Sequence, residues 1–307
     1  MTLPPFYDAS KVGQLYAPDV QAAIEAGARA GLSPAEHDRR RVILLLVDAQ
    51  VDFIHPDGAL YVPGAVDDTR RTIEWLYRHA GVVTAVAASL DTHVPMQIFY
   101  PTWWRDAAGA PPPPFTAITA DDVRRAAWQP TAEPDWSVAY VEKLEQQARK
   151  TLMIWPYHTM LGTPGHAIAP SLYEAIAYHA AARHTEPIFL SKGYIPKTEH
   201  YSILEPEVKV PDAPLGELNT GFLDMLATYD LIYVAGQAKS HCVLETVTSI
   251  MNAAERHPAF PGKLRLLVDC MSSVQHPEID FEAMANEAFA QFEVRGMRIV
   301  TSQDDIG

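Results

Sequence analysis

Six short apolar runs recur along the chain and constrain its fold more than any other feature: Val42–Val47, Val82–Ala88, Pro187–Leu190, Leu231–Ala235, Leu264–Val268 and Arg298–Thr301. They are rich in Val, Ile and Leu and lack the in–out alternation of a half-exposed strand. An unbroken apolar strand has both faces covered, as in a parallel sheet packed by helices on either side. Helix-length amphipathic stretches separate the runs. Asp67–His79 carries Ile73, Leu76 and Tyr77 on one side, Pro170–Arg183 carries Leu172, Ile176 and His179, Ser240–Glu255 carries Val243, Val247, Ile250 and Met251, and Phe281–Phe292 closes the series. This alternation predicts an α/β fold with a mainly parallel sheet. Ligands of such sheets bind at the carboxyl ends of the strands, so chemistry is expected there.

Two segments break the alternation. Residues 1–40 are expected to form a helical arm with Val20–Ala30 as its core, ahead of a domain spanning 41–307. Residues 100–150 hold Trp103-Trp104, the proline run Pro111–Pro114 and an expected helix Ser137–Lys150. A proline run is a stiff spacer, so this stretch is expected as an insertion over one edge, used for packing, oligomer contact or as a lid.

Composition narrows the partners. The net charge of -14, with no basic run beyond Arg39–Arg41, excludes nucleic acid. The longest apolar run, Val42–Val47, is far below the ~20 residues needed to span a bilayer, so no membrane partner is expected. No apolar core of a signal peptide lies within Met1–Tyr16. Two cysteines in 307 residues give no disulfide framework, which points to a reducing, cytoplasmic setting.

Four strand ends carry the candidate chemistry. Asp48 follows the first run, where an acid is costly to desolvate unless paired or used, though Asp also caps turns. After the fourth run, a turn through Gly236 and Ala238 leads into a helix whose first turn holds Cys242. Free N–H groups at a helix start stabilise a thiolate or an oxyanion, whereas a lone cysteine is more commonly buried structure. Cys270 fits the structural role. Lys192, beside Gly193, could hold a base ionised and lower a nearby thiol, or could be a solvated strand-end lysine. In Asp91-Thr92-His93, residues two apart in extended chain point the same way, so Asp91 and His93 can share an ion. His158 follows Trp155-Pro156-Tyr157, and spacing alone does not join it to them.

Together these segments resemble the isochorismatase-like cysteine hydrolases, and among them the nicotinamidases. Val47–Phe53 resembles the opening strand with its aspartate base, and Gly58–Ala65 its glycine-rich continuation. Lys192-Gly193 with Tyr201-Ser202 resembles the lysine segment, and Gly236–Val243 the nucleophile turn. The resemblance implies a doubly wound, Rossmann-like three-layer sandwich with six mainly parallel strands and helices on both faces. It implies Asp48, Lys192 and Cys242 as the catalytic set, and a cis peptide at Gln237–Ala238 that helps form the oxyanion site. Asp91, His93 and His158 match metal ligands, for zinc first and manganese or iron as alternatives. Phe53 and Trp155 match aromatics that sandwich a pyridine ring, and Tyr201 is expected in the substrate site. The implied reaction is hydrolysis of a small amide C–N bond through a thioester, nicotinamide to nicotinate and ammonia being the leading case, in a homo-oligomer. The alternatives are an amidase for carbamoyl or ureido compounds, with or without metal, and a non-catalytic binding protein on the same fold.

The chain also departs from that pattern. Pro95–Tyr100 offers no further ligand after Asp91-Thr92-His93, so a fourth ligand is absent or comes from the insertion. Lys239-Ser240-His241 replaces a small residue and Thr-Asp, and the lysine segment is about two residues longer. These departures bear on the substrate more than on the chemistry.

Overall fold

The computed structural model describes residues 3–307. Six strands form one sheet: β1 Val42–Val47, β2 Ala85–Asp91, β3 Ile188–Lys192, β4 Leu231–Gly236, β5 Leu264–Leu267 and β6 Arg298–Val300. Their order is β6-β5-β4-β1-β2-β3 and every neighbouring pair is parallel. This is the doubly wound order, with its switch point between β1 and β4. The expected α/β three-layer architecture is therefore the one observed.

The lack of alternation in β1 has a direct cause. Val42, Leu44 and Leu46 enter one core, and Ile43, Leu45 and Val47 enter the other. On the first face the strands meet two helices, α2 Ala65–His79 and α4 Pro170–Arg183. On the second they meet α5 Thr220–Ala227, α6 Leu244–Asn252 and α7 Phe281–Val294. All six residues of β1 are fully buried, and each side chain adds roughly 1.5–3 kcal/mol of hydrophobic stabilisation.

The amino-terminal segment lies against the domain. Its helix α1, Val20–Ala28, packs on α4 so closely that a Cβ on Gly27 would sit 2.3 Å from the Tyr178 carbonyl. Tyr16 donates to Glu174 at 2.9 Å and the Asp19 N–H donates to the same carboxylate at 2.8 Å. The region of residues 100–150 builds a third core from Trp103, Trp104, Ile118, Tyr140, Val141 and Leu144. Its helix α3 runs Pro134–Lys143 and continues as a π-turn, Leu144–Ala148.

Most element boundaries shift by a few residues from the sequence expectation, and the helix expected over Ser137–Lys150 runs Pro134–Lys143 with a π-turn after it. The second strand begins at Ala85 rather than Val82, because the N–H groups of Val82 and Val83 both close the preceding helix on the His79 carbonyl. The helix expected from Ser240 opens as a π-turn, Lys239–Val243, before regular α-helix begins at Leu244. Two-residue strand pairs, Trp104–Arg105 with Gln129–Pro130 and Ala117–Ile118 with Leu152–Met153, are too short for any periodicity to announce them.

Candidate active site

Each candidate side chain sits at the carboxyl end of a sheet strand or just beyond it. β1 and β4 are in register at Val47 and Gly236, which sets Asp48 beside the turn leading to Cys242. That turn needs glycine: Gly236 has φ of +120°, and a Cβ there would fall 2.0 Å from the Val47 carbonyl oxygen. The Gln237–Ala238 bond that follows is cis. Gln237 donates to Asp68 at 3.0 Å and accepts from the Ser272 N–H at 3.2 Å, so its side chain braces the turn.

Asp48, Lys192 and Cys242 meet. The Lys192 ammonium lies 2.9 Å from Asp48 Oδ2 and 3.6 Å from Cys242 Sγ, and all three residues are buried. It also donates to the His200 carbonyl at 2.8 Å. Ser89 donates to Asp48 Oδ1 at 2.6 Å and accepts from the Asp48 N–H at 3.0 Å, fixing the carboxylate. Although Lys192 stands close to Asp48 Oδ2, that oxygen makes no hydrogen bond of good geometry, which leaves a lone pair open beside the thiol.

The electrostatics follow from burial and these neighbours. Desolvation pushes the Asp48 carboxyl up, opposed by the Lys192 charge. Desolvation also pushes the Cys242 thiol well up, with Lys192 pulling down and Asp48 adding to the rise. Burial alone would lower the Lys192 ammonium, but Asp48 and Asp91 outweigh it and hold the charge firmly. Burial and the Lys192 charge thus oppose each other at both Asp48 and Cys242, while Asp48 and Asp91 favour the charged form of Lys192.

Asp91, His93 and His158 also converge, with ligand atoms all within 4.8 Å of one another. Asp91 Oδ2 is 2.8 Å from His93 Nε2 and 3.7 Å from His158 Nε2. Two donors bound at usual zinc distances to one ion lie about 3.0–3.4 Å apart, and the observed spacings bracket that range. The outer contacts fit as well. His93 Nδ1 faces the Gly193 carbonyl at 3.3 Å and His158 Nδ1 faces the Pro156 carbonyl at 2.7 Å, which turns both Nε2 lone pairs toward the cluster. Desolvation would raise Asp91, but His93 and Lys192 hold its carboxyl well below the usual range. Gly193, at φ +82°, lets the lysine segment pass close by: a Cβ there would stand 2.8 Å from Asp91 Oδ1. The donor set therefore fits a divalent ion.

Cys242 and the Asp91, His93 and His158 cluster open onto one pocket, lined also by Phe53, Trp155, Tyr201 and Ala238. Phe53 packs edge-on against His158 at 5.5 Å between ring centres. Trp155 donates to Glu199 at 3.2 Å and to the Tyr201 hydroxyl at 3.1 Å. The Ala238 N–H donates to nothing among the described residues, although Ala238 lines the pocket. Asp48 and Lys192 lie beneath the lining rather than in it. Cys270 is buried away from this pocket, its thiol pushed up by burial and by Asp269.

Several lining residues were not singled out from sequence: Glu199, His200, His241, Leu60, Phe99 and Val274. His241 packs edge-on against Trp155 and Tyr201, each at 5.4 Å, and burial lowers its imidazole to about 3. Glu199 accepts from Tyr140 at 3.1 Å and also from Tyr201 and Trp155, and burial raises its carboxyl. The available signal was their position beside Tyr201 and Cys242. Of the two alternatives for a fourth ligand, absent or supplied by the insertion, the second finds no support: the clustered groups of the described residues are Asp91, His93 and His158 alone.

No family model matches the chain, and no curated protein does. Solved structures do. The yeast nicotinamidase bound to the inhibitor nicotinaldehyde superposes with a TM-score of 0.57 at 17% identity, covering 85% of this chain and 99% of its own. The Acinetobacter baumanii nicotinamidase/pyrazinamidase gives 0.56 at 19% identity, covering 87% and 99%. The PnC1 protein of L. infantum in complex with nicotinate gives 0.51 at 17%, covering 86% and 94%. In backbone architecture, the chain has the isochorismatase-like fold found in nicotinamidases.

Proposed function

We propose that this protein hydrolyses a small planar amide through a Cys242 thioester, with nicotinamide as the first candidate substrate. The observation that carries the reading is one ammonium, Lys192, within 2.9 Å of Asp48, 2.8 Å of Asp91 and 3.6 Å of Cys242. A buried cation between two carboxylates and a thiol has a chemical use beyond stability, because desolvating such a set is costly.

In this scheme Asp48 takes the thiol proton as Cys242 Sγ bonds to the amide carbon. Lys192 offsets the negative charge now shared by Asp48 and the sulfur. The carbonyl oxygen becomes an oxyanion within reach of the Ala238 N–H, joined by the Cys242 N–H. Asp48 then returns its proton to the leaving nitrogen, the C–N bond breaks and ammonia departs. A water molecule, deprotonated by the same carboxylate, attacks the thioester, and the C–S bond breaks to give the acid and the free thiol. The raised Asp48 carboxyl suits this exchange of roles. Asp91, His93 and His158 would hold a divalent ion, zinc first, which supplies a coordination position that orients a lone-pair donor of the substrate. Phe53, Trp155 and Tyr201 would flank its ring. Cys242 and Cys270 are both free, and a reducing cytoplasmic setting keeps the nucleophile so.

A second reading has its own support. Glu199, His200 and His241 add polar groups to the wall, which favours a carbamoyl or ureido compound over a pyridine amide. Ammonia release from nicotinamide and from a carbamoyl panel, with and without a chelator, separates the two. Turnover of nicotinamide that falls on chelation supports the first, and release from carbamoyl compounds alone supports the second. A Cys242→Ala protein that kept the native rate would eliminate both.

A further inference from the structure

His200 stands apart from the other histidines of the pocket. The residue is 6% exposed, yet neither ring nitrogen has a hydrogen-bond partner among the described residues. His93 and His158 each commit Nδ1 to a backbone carbonyl. A buried polar group left unsatisfied is costly, and a water, an ion or a role in chemistry accounts for such groups in folded proteins. The ring is not free to turn away to solvent. The peptide that carries it is anchored by its carbonyl on Lys192 at 2.8 Å, and its neighbours Glu199 and Tyr201 are tied to each other and to Trp155. His200 lines the same pocket as Asp91, His93, His158 and Cys242.

The clustered ligand atoms are those of Asp91, His93 and His158, and His200 does not join them. Three protein ligands leave a coordination position open, as catalytic zinc sites do. We infer that His200 is a fourth protein group of this metal centre, acting as the hydrogen-bonding partner of whatever fills the ion's open position. In either charge state an imidazole offers at least one N–H, so it can donate to a lone pair held there. The role is positioning, and it rests on the ion-binding part of the functional reading but not on amide hydrolysis.

The test uses Co²⁺ as the ion and azide as the occupant of the open position, followed by visible absorption of the loaded protein. His200→Ala should leave the Co²⁺ dissociation constant within about threefold and weaken azide about tenfold, the loss of one hydrogen bond. His200→Gln, which keeps an N–H donor, should recover most of that loss. If the alanine variant does not fold, His200→Asn, whose amide falls short of the same point, should show the same weakening. Unchanged azide affinity would overturn the inference. So would a Co²⁺ affinity reduced about a hundredfold or more with an altered spectrum, which marks a direct ligand. A native protein that takes up no Co²⁺ would overturn it at the first step. Binding as expected in a protein that releases ammonia from no amide would instead sink the functional reading and leave His200 in place.

Discussion

Asp91 and Lys192 are register partners on adjacent parallel strands, and their side chains meet at 2.8 Å. Through its other oxygen Asp91 faces His93 and His158. One carboxylate therefore joins the thiol centre to the candidate metal centre.

Asp91→Asn should disturb both centres at once. Zinc affinity, measured by competition with a chromophoric chelator, should fall by about a hundredfold or more, since a charged ligand is lost. The negative charge of Asp91 also holds the Cys242 thiol up, so its removal should make the thiol ionise at lower pH. Alkylation by iodoacetamide against pH, in chelated protein, checks the second effect. A thiol that titrated as in the native protein would show the two centres to be independent.

Lys192→Met should move the acidic limb of the pH profile. Burial raises the Asp48 carboxyl and Lys192 opposes that rise, so without the lysine it rises further. In the proposed scheme Asp48 must be ionised to accept the thiol proton, so activity should be lost as pH falls through its pKa. The acidic limb of kcat/KM should shift upward, with turnover at neutral pH down about a hundredfold. An unshifted limb would remove Asp48 from the role of base.

Acid stability has a separate source in α4. His179 donates to the Val83 carbonyl at 2.9 Å, and burial, the largest cause, lowers its imidazole to about 4. The unfolded chain binds a proton near pH 6.5 that the folded chain refuses until about pH 4. Its contribution is complete above about pH 6.5 and is lost as pH falls toward about 4, amounting to about 3 kcal/mol. Urea denaturation across this window should show the decline, and His179→Gln, which keeps an N–H for Val83, should flatten it.

Gly236→Ala should destabilise the fold by about 3 kcal/mol or more, because the added Cβ meets the Val47 carbonyl at 2.0 Å and the backbone is left-handed. Denaturant midpoints measure this. A variant that folds with native stability would contradict the close approach of β1 and β4.

The sheet was legible because β1 serves two cores at once, and only an unbroken apolar run can do that. The strand-end rule located Asp48, Asp91, Lys192 and Cys242, since a polar residue after such a run has few places to go. His158 was not reachable by spacing, because a long loop carries it to the pocket; the family likeness placed it beside Asp91. Glu199, His200 and His241 were legible only as departures from the family pattern, and their place in the pocket was not, for a related reason. The first two lie between Lys192 and α5 in chain without periodicity, and His241 lies in a π-turn where the 3.6-residue pattern fails.

The third core reaches the pocket from behind. Trp136 donates to the Lys197 carbonyl at 2.7 Å, and Tyr140 donates to Glu199 and accepts from its N–H at 3.0 Å. Substitutions in helix α3 can therefore shift one wall of this cavity without touching the strand ends that carry Asp48, Asp91 and Lys192.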